Sequence, residues 1–472
     1  MTPYQEDRPR DACGIVGIYA PNEEVARMAF FGLFALQHRG QEAAGIAVSD
    51  GSVVRLHKDV GLVAQVFHPR SLAELQGSYA IGHTRYSTTG SSSIRNAQPF
   101  LIETVNGPVA LAHNGNLVNS AALRDDLLRS GMGFSSSSDS EVMTMMLARN
   151  GGSTWVERIQ HAMSRWQGAY SLVVLTRDSV FAARDPWGFR PLSVGLLPSG
   201  GYAAASETGA LRTLGCQAIR EVNPGEIVTL SGRALVVTQA VPAASLLARC
   251  VFEMIYFSRP DAVWDGRSVH QVRQNLGREL ARECPTEADV VIPTPDSAIP
   301  AAIGYALQSG IPYNDGFIKN RYVGRTFIEP TDSLRKRGVA LKFNVINENV
   351  LNKRVVMIDD SIVRGNTTGP IVKLLYEAGA AEVHLRITCP PITDPCFMGV
   401  DMGTHSDLIA HRRTVAEIRE HIGAHSLHYL SLEGMLRAIG RTEGYCQACF
   451  TGSYPIPVDL GSAKTGFEKG IQ

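Results

Sequence analysis

Residues 355–369, VVMIDDSIVRGNTTG, hold the side chains with the most recognisable chemistry. The run opens with four apolar residues, as expected of a strand buried on both faces of a parallel sheet. Asp359 and Asp360 follow directly, then a turn rich in glycine and hydroxyl groups, then a helical pattern from Pro370. Free amides at a helix N-terminus bind phosphate, and adjacent carboxylates suit ribose hydroxyls or phosphate-bound Mg²⁺, although an acidic pair can also be a plain helix cap. The pattern predicts a strand, an anion-binding loop and a helix, with no Gly-Lys-Ser/Thr of a Walker loop.

The whole run resembles the signature of the type I phosphoribosyltransferases. That resemblance implies that Asp359 and Asp360 hold Mg²⁺ and the ribose of phosphoribosyl pyrophosphate (PRPP), while the loop holds its 5-phosphate. The implied loop residues are Ser361, Arg364, Gly365, Asn366, Thr367 and Thr368. Upstream, DVVIPTPDSAIPAAIGYA repeats the order of strand, turn and helix. Its turn at residues 295–298 matches the pyrophosphate loop of the family, which places Ser297 close to the metal.

Basic residues dominate the segment 317–342, which precedes the acidic pair. A basic run can be a solvated loop or a nucleic-acid patch. Its position before the PRPP motif favours a flexible lid that closes over pyrophosphate and shields the charge of the leaving group. Lys319, Arg321 and Lys342 are the PRPP contacts that we expect from this segment.

A second set of reactive residues lies nearer the N-terminus. Cys13 opens an apolar strand, CGIVGIY, after the polar leader 1–12, and on its own it could be a buried thiol at a strand start. The stretches HTRYSTTG (83–90), AHNGNLVN (112–119) and SDSE (138–141) follow. Together and in this order they resemble the class II glutamine amidotransferase domain, an N-terminal-nucleophile fold. The resemblance implies that residues 1–12 are a propeptide and that the mature chain begins at Cys13.

A terminal cysteine has a chemical advantage, because its own α-amino group, with a pKa of about 8, can act as the base that activates the thiol. The resemblance assigns the oxyanion donors to the Asn114 side chain and the Gly115 backbone amide. It assigns Arg85 to the α-carboxylate of glutamine and Asp139 to the α-amino group, which are the pairings that charge and geometry favour.

The strand and helix patterns divide the chain into two domains of the α/β and α+β classes. Short strand-like runs continue to about residue 240, and a helix capped by Asn22 with Glu23 and Glu24 is predicted near the start. We expect an N-terminal-nucleophile αββα sandwich (class II glutaminase) over residues 13–240. Longer helices then alternate with apolar strands, which predicts a type I phosphoribosyltransferase parallel-sheet α/β domain over residues 250–440, followed by a C-terminal segment, 441–472.

Cysteine placement suggests a metal centre. Cys446 and Cys449 form a C-x2-C pair that could be a zinc knuckle or a redox dithiol, whereas Cys250 and Cys396 are dispersed. On spacing alone, four thiolates suit zinc or a 4Fe-4S cluster equally. The chain as a whole resembles the glutamine phosphoribosylpyrophosphate amidotransferase family. Its propeptide-cleaved branch carries a cluster in these four contexts, and the resemblance therefore implies a 4Fe-4S cluster.

Composition limits the remaining possibilities. The chain has 472 residues with 45 basic and 45 acidic side chains, so no net field recruits nucleic acid or an anionic membrane. There is no apolar run of the ~20 residues that a membrane helix needs, and the leader lacks the apolar core of a secretory signal. We therefore expect a cytoplasmic protein with reduced thiols.

The expected activity is amidophosphoribosyl transfer, in which glutamine is hydrolysed and its ammonia displaces pyrophosphate from C1 of PRPP. The resemblance also implies purine nucleotide inhibitors and a homotetramer or homodimer. Two rivals exist. Another class II amidotransferase, such as a glucosamine-phosphate or asparagine synthase, should lack the motif at 355–369. A regulator built on a phosphoribosyltransferase fold has no use for a mature Cys13, so neither rival explains both halves.

Overall fold

The computed structural model describes residues 13–86, 93–149, 151–232, 234–320 and 343–458. The leader 1–12 lies outside these residues, as do Arg321 and Lys342 of the basic segment. Within the described residues no helix is both long and apolar enough to cross a membrane.

Two antiparallel sheets form the first half of the chain. Their strands are β1 (Gly14–Tyr19), β2 (Ala43–Ser49), β3 (Val54–Val60), β4 (Tyr79–Arg85), β5 (Phe100–Ile102), β6 (Val109–Leu117), β7 (Gly168–Leu175), β8 (Val180–Arg184), β9 (Ser193–Leu196), β10 (Tyr202–Ala205), β11 (Gln217–Glu221), β12 (Glu226–Leu230) and β13 (Val236–Gln239). One sheet has the order β11-β9-β10-β1-β4-β2-β3, and the other has the order β13-β12-β8-β7-β6-β5. Apolar side chains of both sheets, including Ile15, Ile81 and Val173, form a core between them.

Helices cover the two outer faces of this sandwich. They are α1 (Val25–Ala35), α2 (Val63–Val66), α3 (Pro69–Ala73), α4 (Ser120–Arg129), α5 (Asp139–Arg149), α6 (Trp155–Met163) and α7 (Thr208–Thr213), with a 3₁₀ turn at Ile94–Asn96. One core lies under α1, α2 and α7, and another lies under α4, α5 and α6. The four layers confirm the expected αββα class.

The capping prediction for α1 holds for Glu24 and is wrong for Asn22. The N-cap is Glu24, without a side-chain capping bond. Asn22 has a φ of 65°, the left-handed conformation that Asn tolerates better than most residues, and so it forms the turn before the helix.

The second half is built around a parallel sheet. The strands of this half are β14 (Arg249–Cys250), β15 (Val263–Trp264), β16 (Arg267–Ser268), β17 (Val290–Pro293), β18 (Phe317–Lys319), β19 (Phe343–Val345), β20 (Arg354–Asp359), β21 (Glu382–Ile387), β22 (Ser426–Tyr429) and β23 (Tyr445–Cys446). The strands β17-β20-β21-β22 form the four-stranded parallel sheet, as expected of the phosphoribosyltransferase class.

The helices of this half are α8 (Val269–Glu283), α9 (Ile299–Ser309), α10 (Asn347–Val350), α11 (Thr368–Glu377), α12 (Ile409–Arg412), α13 (Val415–Ile422), α14 (Leu432–Ile439) and α15 (Ala448–Thr451), with a π-helical turn at Glu253–Phe257 and a 3₁₀ turn at His405–Asp407. The expected start of the helix after the acidic pair at Pro370 is wrong by two residues, because α11 begins at Thr368. Proline is tolerated in a first turn, where its missing N–H would have no partner anyway.

A small sheet and an apolar cluster lie where the halves meet. The two-residue strands β14 and β23, both of the second half, pair in parallel, with Cys250 opposite Cys446. A small apolar cluster beside them combines Ala169 and Phe189 of the sandwich with Met398 and Ile456 of the second half.

Candidate functional site

Cys13 immediately precedes β1, in the interior. Its side chain is buried, its thiol donates to the Tyr86 carbonyl at 3.4 Å, and its own carbonyl accepts from Arg39 Nε at 3.2 Å. Burial raises the pKa of the Cys13 thiol, while a hydrogen bond with the Tyr86 backbone and the Arg85 charge lower it. A thiol with a raised pKa is mostly protonated at neutral pH, so attack on a carbonyl needs a base close to the sulfur.

The carboxamide of Asn114 is the most informative polar group on β6. Asn114 is fully buried, and neither its Nδ2 nor its Oδ1 has a hydrogen-bond partner among the described residues. An unsatisfied buried amide costs about 1–3 kcal/mol, so it needs a reason. A contact between two strands helps to position Asn114. His83 Nε2 on β4 lies 3.1 Å from the carbonyl oxygen of His113, the residue before Asn114. This contact links β6 to the part of β4 that ends at Arg85.

Gly115 follows with a φ of 152°, and a side chain there would collide with the carbonyl of Ala169. The backbone of Gly115 also lies against Gly399 of the second half, where an added Cβ would be 2.7 Å from the Gly115 carbonyl carbon. The close approach is possible because both residues lack a side chain. The strand that carries Asn114 therefore touches the other half of the molecule directly.

The two expected glutamine contacts are also buried next to Cys13. Asp139 is the first residue of α5, and its Oδ2 accepts from the Leu117 amide at 3.0 Å. Burial lowers the pKa of Arg85, while the charges of Cys13, Glu42 and Asp139 raise it. The structure thus brings Cys13, Arg85 and Asp139 within electrostatic reach of one another. Arg85 has the charge that suits the carboxylate of an α-amino acid, and Asp139 has the charge that suits its amino group.

The acidic pair lies at the carboxyl end of β20, as the sequence predicts. Asp359 and Asp360 are both buried, Asp359 Oδ1 accepts from the Asp360 amide at 3.0 Å, and Asp360 Oδ1 accepts from Ser361 Oγ at 2.9 Å. Ser297, from the turn after the neighbouring strand β17, donates to Asp360 Oδ2 at 2.5 Å. Carboxylates and a hydroxyl on one edge are oxygen ligands of the kind that Mg²⁺ prefers.

The loop after β20 leads into the N-terminus of α11. Gly365 has a φ of 77°, and Thr367 and Thr368 occupy the N-cap and the first position of the helix. Lys319 at the end of β18 pairs with Asp296 at 2.6 Å, in the turn next to Ser297. Both turns and the lysine therefore converge on the edge where a phosphorylated sugar would bind, as in other open parallel sheets.

The four cysteines of the expected metal centre line one cavity. Apolar side chains such as Phe252 and Met402 complete the walls of the cavity. Burial raises the pKa of Cys250 to about 11, and burial likewise raises the pKa values of Cys446 and Cys449. Thiolates in such surroundings need a cation, so the donors and the apolar walls fit a metal centre.

Sulfur spacing bears on the two centres that the sequence left open. In a closed tetrahedral zinc site with Zn–S bonds of ~2.3 Å, neighbouring sulfurs lie about 3.8 Å apart. In the described part of the chain, no three of these thiols lie within 4.8 Å of one another. As a set, the four sulfurs are therefore more widely spaced than the ligands of a bound zinc ion. The amide of Met398 donates to Cys396 Sγ at 3.2 Å, a bond that stabilises a ligating sulfur.

A buried ionic network connects the two halves, and sequence reasoning missed it. Arg39 Nη1 and Nη2 contact Glu207 and Glu253 at 2.6 Å each, and Arg190 contacts Glu253 at 3.4 Å. Arg190 also donates to the Met398 carbonyl at 2.9 Å. Burial alone would lower the pKa of Arg39, but Glu253 and Glu207 raise it. The sequence did contain a signal for this network, because Arg39, Glu207 and Glu253 lie within the family-like stretches LQHRGQEAAG, ASET and FEMIYF.

Comparison with known proteins gives consistent results for both halves. Residues 83–213 match the glutamine amidotransferase domain family. The chain is 52% identical to the amidophosphoribosyltransferase of Synechococcus elongatus, over 96% of this chain and 93% of that protein. It is 47% identical to the amidophosphoribosyltransferase of Bacillus subtilis, over 95% of each.

Solved structures agree along nearly the whole chain. The glutamine phosphoribosylpyrophosphate amidotransferase of B. subtilis, complexed with ADP and GMP, superposes with a TM-score of 0.91 at 46% identity, covering 96% of this chain and 100% of that one. A structure described as the allosteric regulatory enzyme of purine biosynthesis gives the same TM-score and identity, covering 96% of this chain and 98% of that one.

Proposed function

The chain belongs to the amidophosphoribosyltransferase family of glutamine-dependent pentosyltransferases, and from this premise we propose how its residues carry out the reaction. Glutamine is hydrolysed to glutamate and ammonia, and ammonia displaces pyrophosphate from C1 of PRPP to give 5-phosphoribosylamine. This is the first committed step of purine biosynthesis. The observation that carries the assignment is the presence, in one chain, of a buried Cys13 thiol within electrostatic reach of Arg85 and Asp139 and of a buried acidic pair bonded to Ser297.

In the glutaminase half, residues 1–12 are removed and the α-amine of Cys13 takes the proton of its own thiol. The thiolate attacks the carboxamide carbon, and the Asn114 Nδ2 and the Gly115 amide donate to the oxyanion that develops. The unpaired Asn114 amide supports this role, because a donor aimed at a transition state has no partner at rest. Arg85 binds the α-carboxylate and Asp139 the α-amino group, which orients the substrate for attack.

In the phosphoribosyl half, Asp359 and Asp360 hold the ribose hydroxyls, and residues 361–368 hold the 5-phosphate at the start of α11. Ser297, Asp359 and Asp360 fit Mg²⁺, which when bound offsets the charge of the departing pyrophosphate. We assign Lys319, which pairs with Asp296 in the turn next to Ser297, to the same charge, together with Arg321 and Lys342. Ammonia then meets an oxocarbenium-like carbon shielded from water.

Cys250, Cys396, Cys446 and Cys449 hold a 4Fe-4S cluster with a structural role. The wide sulfur spacing and the apolar cavity support the cluster over zinc. The four ligands come from three distant segments, so the cluster closes long loops and restricts the unfolded chain where disulfides would be reduced. We also assign a cytoplasmic location, regulation by purine nucleotides, and a homotetramer or homodimer.

The decisive experiment measures glutamate and pyrophosphate release by the full chain, purified without oxygen, with glutamine and PRPP. We expect equal amounts of both products and PRPP-dependent synthesis from glutamine. Glutamate release with no PRPP-dependent pyrophosphate would overturn the assignment in favour of another amidotransferase. N-terminal sequencing of the active protein should begin at Cys13, and about four irons per chain should be found. One zinc and no iron would contradict the cluster and leave both catalytic assignments standing.

A further inference from the structure

A group of three ligand-type side chains lies at the end of the parallel sheet opposite to the acidic pair. Glu382 and His384 occupy the start of β21, and His425 immediately precedes β22. In the backbone register of β20 and β21, Arg354 lies opposite Glu382 at this end of the sheet, and Asp359 lies opposite Ile387 at the other end. Five steps of about 3.3 Å put the group roughly 16 Å from Asp359, so it is separate from the catalytic edge.

The atoms of this triad, Glu382, His384 and His425, are spaced like metal ligands. The carboxylate Oε2 of Glu382 is 2.9 Å from His384 Nε2 and 3.7 Å from His425 Nε2. One ligand atom from each of the three residues lies within 4.8 Å of the other two. With metal–ligand bonds of 2.0–2.1 Å, a tetrahedral ion separates its ligands by about 3.3 Å, between the two observed distances.

Sheet pairing holds the triad in place before any ion arrives. His384 is in register with Ser426 of β22, and the amide of His425 donates to the Val383 carbonyl at 2.8 Å. His384 Nδ1 lies 2.9 Å from Ser426 Oγ, so a hydrogen bond there can fix the ring while Nε2 faces the carboxylate. Metal-binding histidines ordinarily have such a second partner, which sets the tautomer of the ring.

Exposure and charge also suit an ion. His384 is 7% exposed, whereas the His425 side chain is half-exposed and can adjust to an incoming ion. Arg386 is the cation nearest the triad along β21, and its guanidinium is bound to Thr286 Oγ1 at 2.6 Å, to the Leu385 carbonyl at 2.9 Å and to Ser426 Oγ at 2.9 Å.

We propose that Glu382, His384 and His425 bind one transition-metal cation of the zinc class, which links the start of β21 to the turn before β22. Two imidazole nitrogens and one carboxylate select such an ion over Mg²⁺, whose preferred ligands are oxygens. Three protein ligands leave one tetrahedral position for water. The site is independent of the catalytic assignments, because it shares no residue with them.

The test uses the full chain, purified without oxygen in its iron-loaded state and freed of loose metal by a mild chelator. Equilibrium dialysis against micromolar Zn²⁺, with zinc and iron measured per chain, compares the parent with His425→Ala and with His270→Ala. His270 is an exposed histidine on α8 outside the triad, and it serves as the matched control. We expect one zinc per chain in the parent and in His270→Ala, and at least tenfold weaker zinc binding in His425→Ala.

A Co²⁺ titration of the unmodified parent provides a second readout that does not depend on the folding of a variant. Nitrogen and oxygen ligands should give weak visible bands only, whereas cysteine ligands would add a strong near-ultraviolet thiolate band. A thiolate band, no bound zinc in the parent, or zinc binding by His425→Ala with the affinity of the parent would each overturn the proposal.

Discussion

The two candidate catalytic sites are assembled in different ways. The glutaminase site collects Cys13, Arg85, Asn114 and Asp139 from separate strands and a helix of two facing antiparallel sheets. The phosphoribosyl site takes most of its groups from one loop after β20 and adds Ser297 from the adjacent turn. Parallel sheets bring the carboxyl ends of neighbouring strands to one edge, so one local run nearly defines that site. The glutaminase site exists only when the whole sandwich is packed.

The sites are nonetheless joined through buried contacts. The contacts Arg39–Glu253–Arg190 run from the Cys13 carbonyl to the Met398 carbonyl, two residues from Cys396, one of the proposed cluster ligands. Asn116 Nδ2 donates to the Phe397 carbonyl at 2.9 Å, two residues from the expected oxyanion donor Asn114. The position of the glutaminase site, which depends most on packing, is therefore set partly by contacts with the phosphoribosyl half.

The largest expected effect separates the two chemistries. Cys13→Ala should lower glutamine-dependent synthesis by roughly 10⁴-fold or more, because nucleophile and base are lost together. Synthesis from high ammonia should remain. Rates with each nitrogen donor measure this, and Cys284→Ala, a thiol outside both sites, should keep both activities. Loss of ammonia-dependent synthesis in a folded Cys13→Ala protein would mean that the sites are not chemically separate.

The acidic pair should show the opposite pattern. Asp359→Asn and Asp360→Asn should each reduce PRPP-dependent pyrophosphate release by about 10²–10³-fold, since the ribose and metal contacts lose charge. Basal glutaminase activity should persist in both variants. Asp289→Asn, at the exposed start of the same sheet and paired with Arg354, is the control and should turn over PRPP normally. Unchanged PRPP saturation in both variants would refute the ribose assignment.

The buried network predicts a stability effect that spans the halves. Glu253→Gln leaves Arg39 and Arg190 buried with less compensation and should lower the free energy of unfolding by about 3–5 kcal/mol. Urea unfolding followed by tryptophan fluorescence measures the change. Glu24→Gln, which removes an exposed pair with Arg27, should cost less than about 1 kcal/mol. Equal effects from both substitutions would show that the network does not join the halves energetically.

The smallest effect is a pH dependence within the sandwich. Burial lowers the pKa of His83 from 6.5 to about 3, so the unfolded chain binds a proton that the folded chain rejects between these values. Its stabilising contribution is complete above pH 6.5 and is lost as the pH falls, at no more than about 1.4 kcal/mol per pH unit. Urea midpoints from pH 7.5 to 5 should fall less steeply in His83→Gln than in the parent. Parallel curves would assign the acid sensitivity to other groups.

Local sequence determined the features that depend on neighbours along the chain. The apolar run into Asp359 and Asp360 predicted β20 and its loop, because buried parallel strands and phosphate-binding turns have local signatures. The order of short motifs after Cys13 predicted the sandwich class. Boundaries were less accurate: α11 begins before Pro370, and Asn22 forms a turn instead of a cap, since backbone conformation at an end depends on what packs beyond it.

Only the tertiary structure decided which distant groups meet. Nothing near Arg39 in the sequence indicates Glu253, and nothing in AEVHLRIT indicates that His384 faces His425 across two parallel strands. Nothing in the sequence positions of Cys250, Cys396, Cys446 and Cys449 indicates that all four line one cavity. The physical reason is the same in each case: periodicity reports which face of an element is buried, but charge pairing and metal geometry depend on distances that packing alone sets.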